Sequence, residues 1–416
     1  MKIALISPRY LAEDMRGGEE AVRLLFDGLK KDHAVSVLTS NAIDIRAEHS
    51  LLGRKFKFSA KMNSKDGVLM FKSKSIVPQM LHFLQYPANL LELRGFPAYK
   101  VQVLDTIRTY GWGPYIPDMI DVLLTENFDV VHASIYPTNT AWIAFRFTQK
   151  SKTPFVFTPY FHYLKNAFRD SICLREMLKK SSVVVACSNA EREKLIEMSS
   201  EPSRTFVIPL SINSEILPNG WFDKSFNRSM LGITGEFVIV TYPWAGKGGD
   251  LVLRTAMTMS QDIKGISVVT IGEPDRVYSA IREKATRTAP NLQILDMGWL
   301  TGEQKWRAIS SGDVFALPSS SDAFGMSYLD AWTASIPIVV LKGTPQEEMI
   351  RDKIDGFAIR HDAKELEDVL RMLLMDLGMC RQAGNEGRRR VREEFSPAKM
   401  VSRYVDVYHL AMRSHF

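Results

Sequence analysis

The sequence predicts an α/β protein built from two Rossmann-like domains. Three observations carry that expectation. Short β-branched apolar runs alternate with segments of helical periodicity, the pattern of a parallel sheet flanked by helices. The rhythm stops at a polar, turn-rich stretch beginning at Pro218, PNGWFDKSFNRSMLGITG, and then restarts. The chain, at 416 residues, is also too long for one ordinary core, since domains usually run about 100–200 residues.

In the first half the expected strands are IALIS at Ile3, VSVLT at Val35, DVVHA at Asp129, FVFT at Phe155, VVVACS at Val183 and TFVIP at Thr205. After the break come FVIVT at Phe237, ISVVTI at Ile266, LQILDM at Leu292, DVFALP at Asp313 and IPIVVL at Ile336. Helices fill the gaps: Val22, Leu25, Phe26 and Leu29 share one helical face, as do Leu366, Val369, Leu370, Leu373 and Leu374. A last helix aligns Met400, Val401, Tyr404, Val405, Tyr408 and Met412. Such stripes are core-packing faces. The expected organisation is a first domain over 1–210 completed by a helix over 398–416, a linker at 211–234, and a second domain over 235–397.

Composition narrows the class. An apolar fraction of 45% is that of a globular chain. The net charge of +6 is a mild basic excess that suits polyanionic partners, such as nucleotides, phospholipids or nucleic acid, without choosing among them; the motifs below, and the resemblance they carry, point to a nucleotide and not to a nucleic acid. Cys173, Cys187 and Cys380 lie far apart without metal-ligand spacing, so neither a disulfide framework nor a metal site is expected. The opening MKIALISPRYLAED reads as a first strand rather than a signal peptide. No run approaches the roughly 20 apolar residues of a spanning helix. The nearest, Ile76 to Leu93, is interrupted by Pro78, His82, Pro87 and Glu92. A cytoplasmic location is therefore expected.

Residues 51–128 depart from the rhythm. LLGRKFKFSAKMNSKDGVLMFKSK holds seven basic residues and one acidic, and an aromatic and leucine-rich segment follows. Two readings stand: a solvated basic face, or peripheral contact with anionic lipid headgroups on the acceptor side.

Three motifs carry chemistry. Strand one leads to Gly17-Gly18-Glu19 and a helix, where small residues and free N–H groups admit a phosphate or sugar. The motif is neither a Walker loop nor a dinucleotide fingerprint. The second half opens with VTYPWAGKGGDLVLRTA, in which Lys247-Gly248-Gly249 forms an anion cradle or a capping turn. Last comes ALPSSSDAFGMSYLDAWTASIPIVVL. There a strand ends at Pro318, a small-residue loop carries Asp322, Phe324-Gly325 opens a helix, and Asp330 sits on that helix. The two carboxylates can meet sugar and ribose hydroxyls, or the first can simply cap the helix.

This ordered set resembles retaining glycosyltransferase family four, in which GG-E follows strand one, KG opens the second domain and PSxxExFGxxxxEA follows. ACSNAEREKL at Ala186, VIPLSIN at Val207 and the Phe395-Ser396 step before a Tyr-bearing helix agree as well. The resemblance covers nearly the whole chain and is weakest over residues 45–120. It implies a GT-B glycosyltransferase: two Rossmann-like domains facing an interdomain cleft, a nucleotide-diphosphate sugar as donor and no cofactor or catalytic metal. It also implies retention of anomeric configuration, with a glycan, a lipid-linked molecule or a small molecule as acceptor. By that resemblance Lys247 and Gly248 serve the donor diphosphate, the N–H groups of Phe324 and Gly325 the sugar or phosphate, Asp322 the transferred sugar and Asp330 the ribose. Glu348 is the family's distal glutamate, Gly17 and Gly18 line the site from the first domain, and His162 in FTPYFHYL faces the transferred sugar.

Four departures accompany the resemblance. The carboxylate pair is Asp322 and Asp330 instead of two glutamates. Tyr242 occupies the place of a phosphate-binding arginine and cannot form a charged bidentate clamp. The Pro-Asn-Gly turn is Pro209-Leu210-Ser211, and the Gly-Gly before the distal glutamate is Thr344-Pro345. These departures support the alternative of a catalytically degenerate GT-B subunit that binds nucleotide, glycan or a partner enzyme. Another GT-B activity, such as epimerisation or phosphorolysis, is a third reading.

Overall fold

The structure, a computed structural model, describes residues 1–10, 17–44, 47–48, 53–74, 111–161, 171–215, 218–322 and 324–413. Two compact units divide the chain: Met1–Leu210 with Pro397–Phe416, and Ser211–Ser396.

The first unit is built on an eight-stranded sheet ordered β3-β4-β2-β1-β5-β6-β7-β8. Its strands are β1 (Lys2–Ser7), β2 (Ala34–Ser40), β3 (Met62–Lys65), β4 (Val68–Phe71), β5 (Val130–Ser134), β6 (Phe155–Thr158), β7 (Val183–Ala186) and β8 (Thr205–Val207). All neighbours are parallel except the β3–β4 hairpin. The helices α1 (Gly17–Leu29), α2 (Met119–Thr125), α3 (Asn139–Ser151), α4 (Ile172–Lys180) and α5 (Asn189–Met198) intervene. Because both faces of the sheet are covered, β5, β6 and β7 are buried throughout and read as continuous apolar runs.

The hairpin lies inside the basic stretch. β4 extends the sheet beside β2, with Val37 opposite Val68, while β3 is exposed at the edge. Several of the stretch's charges have local partners. Arg54 pairs with Asp44, Lys74 with Asp118, and Lys72 lies over the Phe58 ring. Lys57, Lys61 and Lys65 are exposed. Residues 75–110, which include most of the apolar segment that follows, lie outside the described residues. Among the described residues no helix is long and apolar enough to cross a membrane.

The last helix, α13 (Pro397–Arg413), completes the first unit. It buries Met400, Tyr404, Val407, Tyr408 and Ala411, a face rotated slightly from the expected stripe. A Cβ on Gly28 of α1 would collide with Val401, so the two helices meet at van der Waals range. His132, at 1% exposure, binds the Tyr408 hydroxyl and the Thr158 hydroxyl, both at 2.8 Å. Burial lowers its pKa to about 3, so it packs as a neutral ring that ties α13 to the sheet.

The second unit carries β9 (Phe237–Thr241), β10 (Ile266–Thr270), β11 (Leu292–Asp296), β12 (Val314–Ala316), β13 (Ile338–Leu341) and β14 (Gly356–Ile359), all parallel, in the order β11-β10-β9-β12-β13-β14. This is the Rossmann strand order. Its helices are α6 (Lys224–Met230), α7 (Gly249–Met259), α8 (Arg276–Thr288), α9 (Gly302–Ser310), α10 (Met326–Thr333), α11 (Ala363–Met375) and α12 (Leu377–Glu394). The stretch expected as a linker packs, from Pro218 onward, on this unit. Asn227 of α6 is fully buried and donates to the Trp221 carbonyl and the Ser310 hydroxyl, and Arg228 pairs with Asp313. Polar residues there satisfy one another, so a turn-rich composition marks a packed entry segment.

Candidate functional site

In a doubly wound sheet, ligands bind beyond the carboxyl ends of the strands, where the strand order reverses. In the second unit that point lies between β9 and β12. The chain leaving β9 passes through Tyr242 and Trp244 to the Lys247-Gly248-Gly249 turn, and the chain leaving β12 passes through Pro318 to Asp322. Gly248 has φ +78°, and a Cβ on it would sit 2.6 Å from the Pro318 carbonyl oxygen. Gly249 packs as closely on the Tyr242 carbonyl. Gly248 lets the two loops touch, and Gly249 lets the first of them fold tightly on itself.

Their side chains meet as well. The Lys247 ammonium donates to Asp322 Oδ1 at 2.8 Å and lies over the rings of Tyr242 and Trp244, at 5.7 and 5.3 Å from their centroids. The two rings give the Lys247 side chain an apolar neighbour. The turn also differs from the expected cradle. The N–H groups of Gly248 and Gly249 donate to the Ala245 and Trp244 carbonyls, so neither is offered to an anion. The short 3-10 turn tightens the loop and consumes them.

The donors lie on the other loop. Phe324 is buried, and Gly325 caps α10 with φ +93° while the Tyr328 ring fills the space a Cβ would need. Among the described residues neither the Phe324 nor the Gly325 N–H has an acceptor. They stand at the start of a helix, where backbone donors and the helix dipole favour an anion.

Asp322 and Asp330 occupy different surroundings. Asp322 is 8% exposed, and its Oδ2 is buried without a partner among the described residues. Asp330, on α10, accepts from Lys305 of α9 through both oxygens at 3.1 Å. Burial first, and then the Asp330 and Asp322 carboxylates, push the Tyr242 phenol far above its usual pKa. Tyr242 is therefore neutral, and Lys247 and Lys305 are the cations beside the carboxylates.

The turn after β13 contributes differently from expectation. Glu348 is exposed on a 3-10 turn (Glu347–Met349). Two positions before it, Gln346 is fully buried and donates from Nε2 to the Asp322 carbonyl at 2.8 Å. Pro345 and Thr344 precede it, so the nest of N–H groups that two glycines would form is replaced by a side chain reaching the 322–324 loop. Lys305 and Gln346 carried no sequence signal. Their partners lie 25 and 24 positions away, and no local pattern links them.

The first unit has its own reversal point, between β1 and β5. Gly17 and Gly18 open α1 there. A Cβ on Gly18 would lie 2.9 Å from the Tyr160 ring and 3.3 Å from Ile135. Ile135 and Tyr160 have φ +74° and +47°, a left-handed conformation unusual for a β-branched residue, and strain of this kind gathers at functional sites. Glu19, next in the motif, is not offered to a ligand. It is buried and forms a bidentate pair with Arg9 at 2.8 Å, and Glu48 also pairs with Arg9. Glu191 of α5, buried, accepts from the Cys187 and Phe161 N–H groups and so fixes the backbone at Phe161. His162, the next residue, lies outside the described residues. Among the described residues no cluster of His, Cys, Asp or Glu has the makings of a metal site.

Two family models match the chain. Residues 16–211 match the glycosyl transferase 4-like domain, and residues 241–390 match glycosyl transferases group 1. An uncharacterized glycosyltransferase of Methanocaldococcus jannaschii is 20% identical over 339 residues, covering 77% of this chain and 86% of its own. Among solved structures, sucrose-phosphate synthase from Thermosynechococcus elongatus superposes with a TM-score of 0.69 at 16% identity, over 99% of both chains. HepE of Anabaena, in complex with UDP-glucose, superposes at 0.68 and 15% identity, over 98% of this chain and 99% of its own. Both likenesses are to the GT-B fold.

Proposed function

The chain belongs to the group 1 glycosyltransferases, enzymes that take a sugar from a nucleotide-sugar donor, and on that premise we propose that the donor is held at the β9–β12 reversal point of the second unit. The observation that carries this reading is the joining of the two loops there: Gly248 against Pro318, and Lys247 bonded to Asp322 at 2.8 Å. Lys247 and the Phe324 and Gly325 N–H groups receive the diphosphate, Asp330 the ribose hydroxyls and Asp322 the transferred sugar.

When the bond from C1 to the diphosphate oxygen breaks, its electron pair stays on the leaving phosphate. A fixed ammonium and oriented N–H groups stabilise that charge without reorganisation. Tyr242, neutral where the family has an arginine, leaves Lys247 as the principal charge on the diphosphate. The acceptor hydroxyl forms the new bond to C1 with retention, and its proton passes to the departing phosphate. His162, Gly17, Gly18 and Glu348 keep the donor-side roles that the family resemblance implies for them.

The test is a panel of UDP-, GDP- and ADP-hexoses, read by mass for donor hydrolysis or transfer and by NMR for the anomer formed. One donor class should be turned over, to a product with the donor's configuration. Inverted product would refute retention. Tight binding with no turnover of any donor would favour a non-catalytic binding role.

A further inference from the structure

Resting on that donor site, we propose that Gln346 is a specificity-determining residue: its Oε1 and Oδ2 of Asp322 form a pair of acceptors for hydroxyl groups of the transferred sugar. Gln346 is fully buried in the turn after β13, and its amide orientation is set by chemistry. Nε2 donates to the carbonyl of Asp322 at 2.8 Å and to that of Phe324 at 3.4 Å. Carbonyls cannot donate, so the NH₂ must face them and Oε1 must face away. Among the described residues that Oε1 is buried with no hydrogen-bond partner, and Asp322 Oδ2, on that same loop, is in the same state.

Buried polar groups are nearly always paired, and an unpaired one calls for a ligand or a function. Both orphans are acceptors only. A phosphate, which carries no proton to give at neutral pH, would be repelled from Asp322 and leave both unmet. Hydroxyl groups supply the missing protons, and in a nucleotide sugar the ring next to the diphosphate bears them. The Lys247 ammonium occupies the other oxygen of Asp322 at 2.8 Å, and a carboxylate oxygen is a strong hydrogen-bond acceptor. The nearest side-chain atom of Gln346 to the cap of α10 is Cγ, 3.8 Å from where a Cβ on Gly325 would stand. The amide therefore borders the same loop whose N–H groups await the phosphate. A site built to meet hydroxyls rejects analogues that lack them far more strongly than an apolar pocket rejects a misfit.

The experiment uses the full chain with UDP, UDP-glucose and its 2-, 3-, 4- and 6-deoxy analogues. GDP- and ADP-glucose series are substituted where the wild type prefers those bases. In the wild type, removal of one particular hydroxyl should lower kcat/KM by at least 100-fold. In Q346L the parent sugar should fall by at least 30-fold while that one deoxy analogue falls less than threefold, so discrimination collapses. Affinity for the free nucleoside diphosphate should fall by far less than the parent sugar's kcat/KM. Q346M, which keeps the length of the side chain, replaces Q346L where the latter does not fold. A flat deoxy series in the wild type would overturn the proposal, as would equal loss of free nucleotide and nucleotide sugar in the variant, which marks a purely loop-holding role. Failure of the wild type to bind any nucleoside diphosphate would instead overturn the donor-site reading, and this proposal with it.

Discussion

Removal of the Lys247 ammonium should strand a carboxylate. Asp322 is 8% exposed, with one oxygen bonded to Lys247 and the other unpartnered among the described residues. Deleting one member of a buried ion pair costs roughly 3–5 kcal/mol, because the survivor stays buried and charged. The two side chains here are 22% and 11% exposed, so water shares part of that penalty, and Lys247→Met should lower stability by about 2–3 kcal/mol. For a unit of this size that is a fall of about 4–12 °C in its melting temperature. Adding Asp322→Asn removes the stranded charge, so the double variant should be more stable than the sum of the single losses by about 1.5–2 kcal/mol. Calorimetry of the wild type, both single variants and the double variant, without ligand, measures this coupling. A coupling within about 0.5 kcal/mol of zero would refute the reasoning. Titration with nucleoside diphosphate then tests the chemistry. A charge-assisted bond contributes about 1.5–3 kcal/mol, so Lys247→Met should bind about 10- to 100-fold more weakly. Unchanged affinity would remove Lys247 from the diphosphate site.

Asp330→Asn should weaken free nucleotide binding about tenfold, as expected for loss of about 1.4 kcal/mol of hydrogen bonding, whereas Asp322→Asn should mainly impair turnover. Equal losses of nucleotide affinity in the two variants would count against the division of roles. Gly325→Ala forces a left-handed alanine against the Tyr328 ring. Chemical denaturation should show a loss of about 2–4 kcal/mol. His132 titrates in the folded chain near 3, below its unfolded value of about 6.5. The unfolded chain thus binds the proton first, and stability falls as pH drops from about 6.5 toward 3. His132→Gln should flatten the change between pH 7 and 5 by about 2 kcal/mol, and unaltered urea midpoints over that range would contradict it. Flotation with anionic vesicles tests the exposed Lys57, Lys61 and Lys65. Association that falls with salt and on their replacement by Gln is expected of a peripheral contact, and equal flotation with neutral vesicles would exclude it.

The strand cores were legible because parallel strands covered on both faces must be apolar throughout: FVFT, VVVA and FVIVT each form a buried strand. β3 and β4 escaped notice. MNSK is an exposed edge strand, and VLMF sits within a run of lysines whose charge masks its apolar character. β14, GFAI, is short and opens on a glycine. At the candidate site the loops were legible through their glycines and carboxylates, since Gly248 and Gly325 need the left-handed backbone that few other residues accept. The pairing of those groups was not. Lys247 with Asp322, Lys305 with Asp330 and Gln346 with the 322–324 loop are meetings across the sheet's carboxyl edge, made only when β9, β12 and β13 are side by side. Glu19 shows the converse. The motif places it beside a turn for ligands, yet Arg9 folds onto it and makes it part of the frame.

The return of α13 to the first unit has a consequence for how the chain is made. On a ribosome the first sheet emerges long before Tyr404 and Tyr408, so His132 and the strand beneath it wait with one side uncovered while the entire second unit is synthesised. The second unit, continuous in sequence, can fold first and act as a clamp. Once formed, it holds its own two ends together, with the Ile212 N–H bonded to the Phe395 carbonyl at 3.1 Å. The chain between Leu210 and Pro397 then behaves as a short tether instead of a long coil, sparing an entropy of closure on the order of 4–5 kcal/mol. A lesion in the inserted unit that delays its folding should therefore leave the first unit open to proteolysis, although no residue of that unit has been changed.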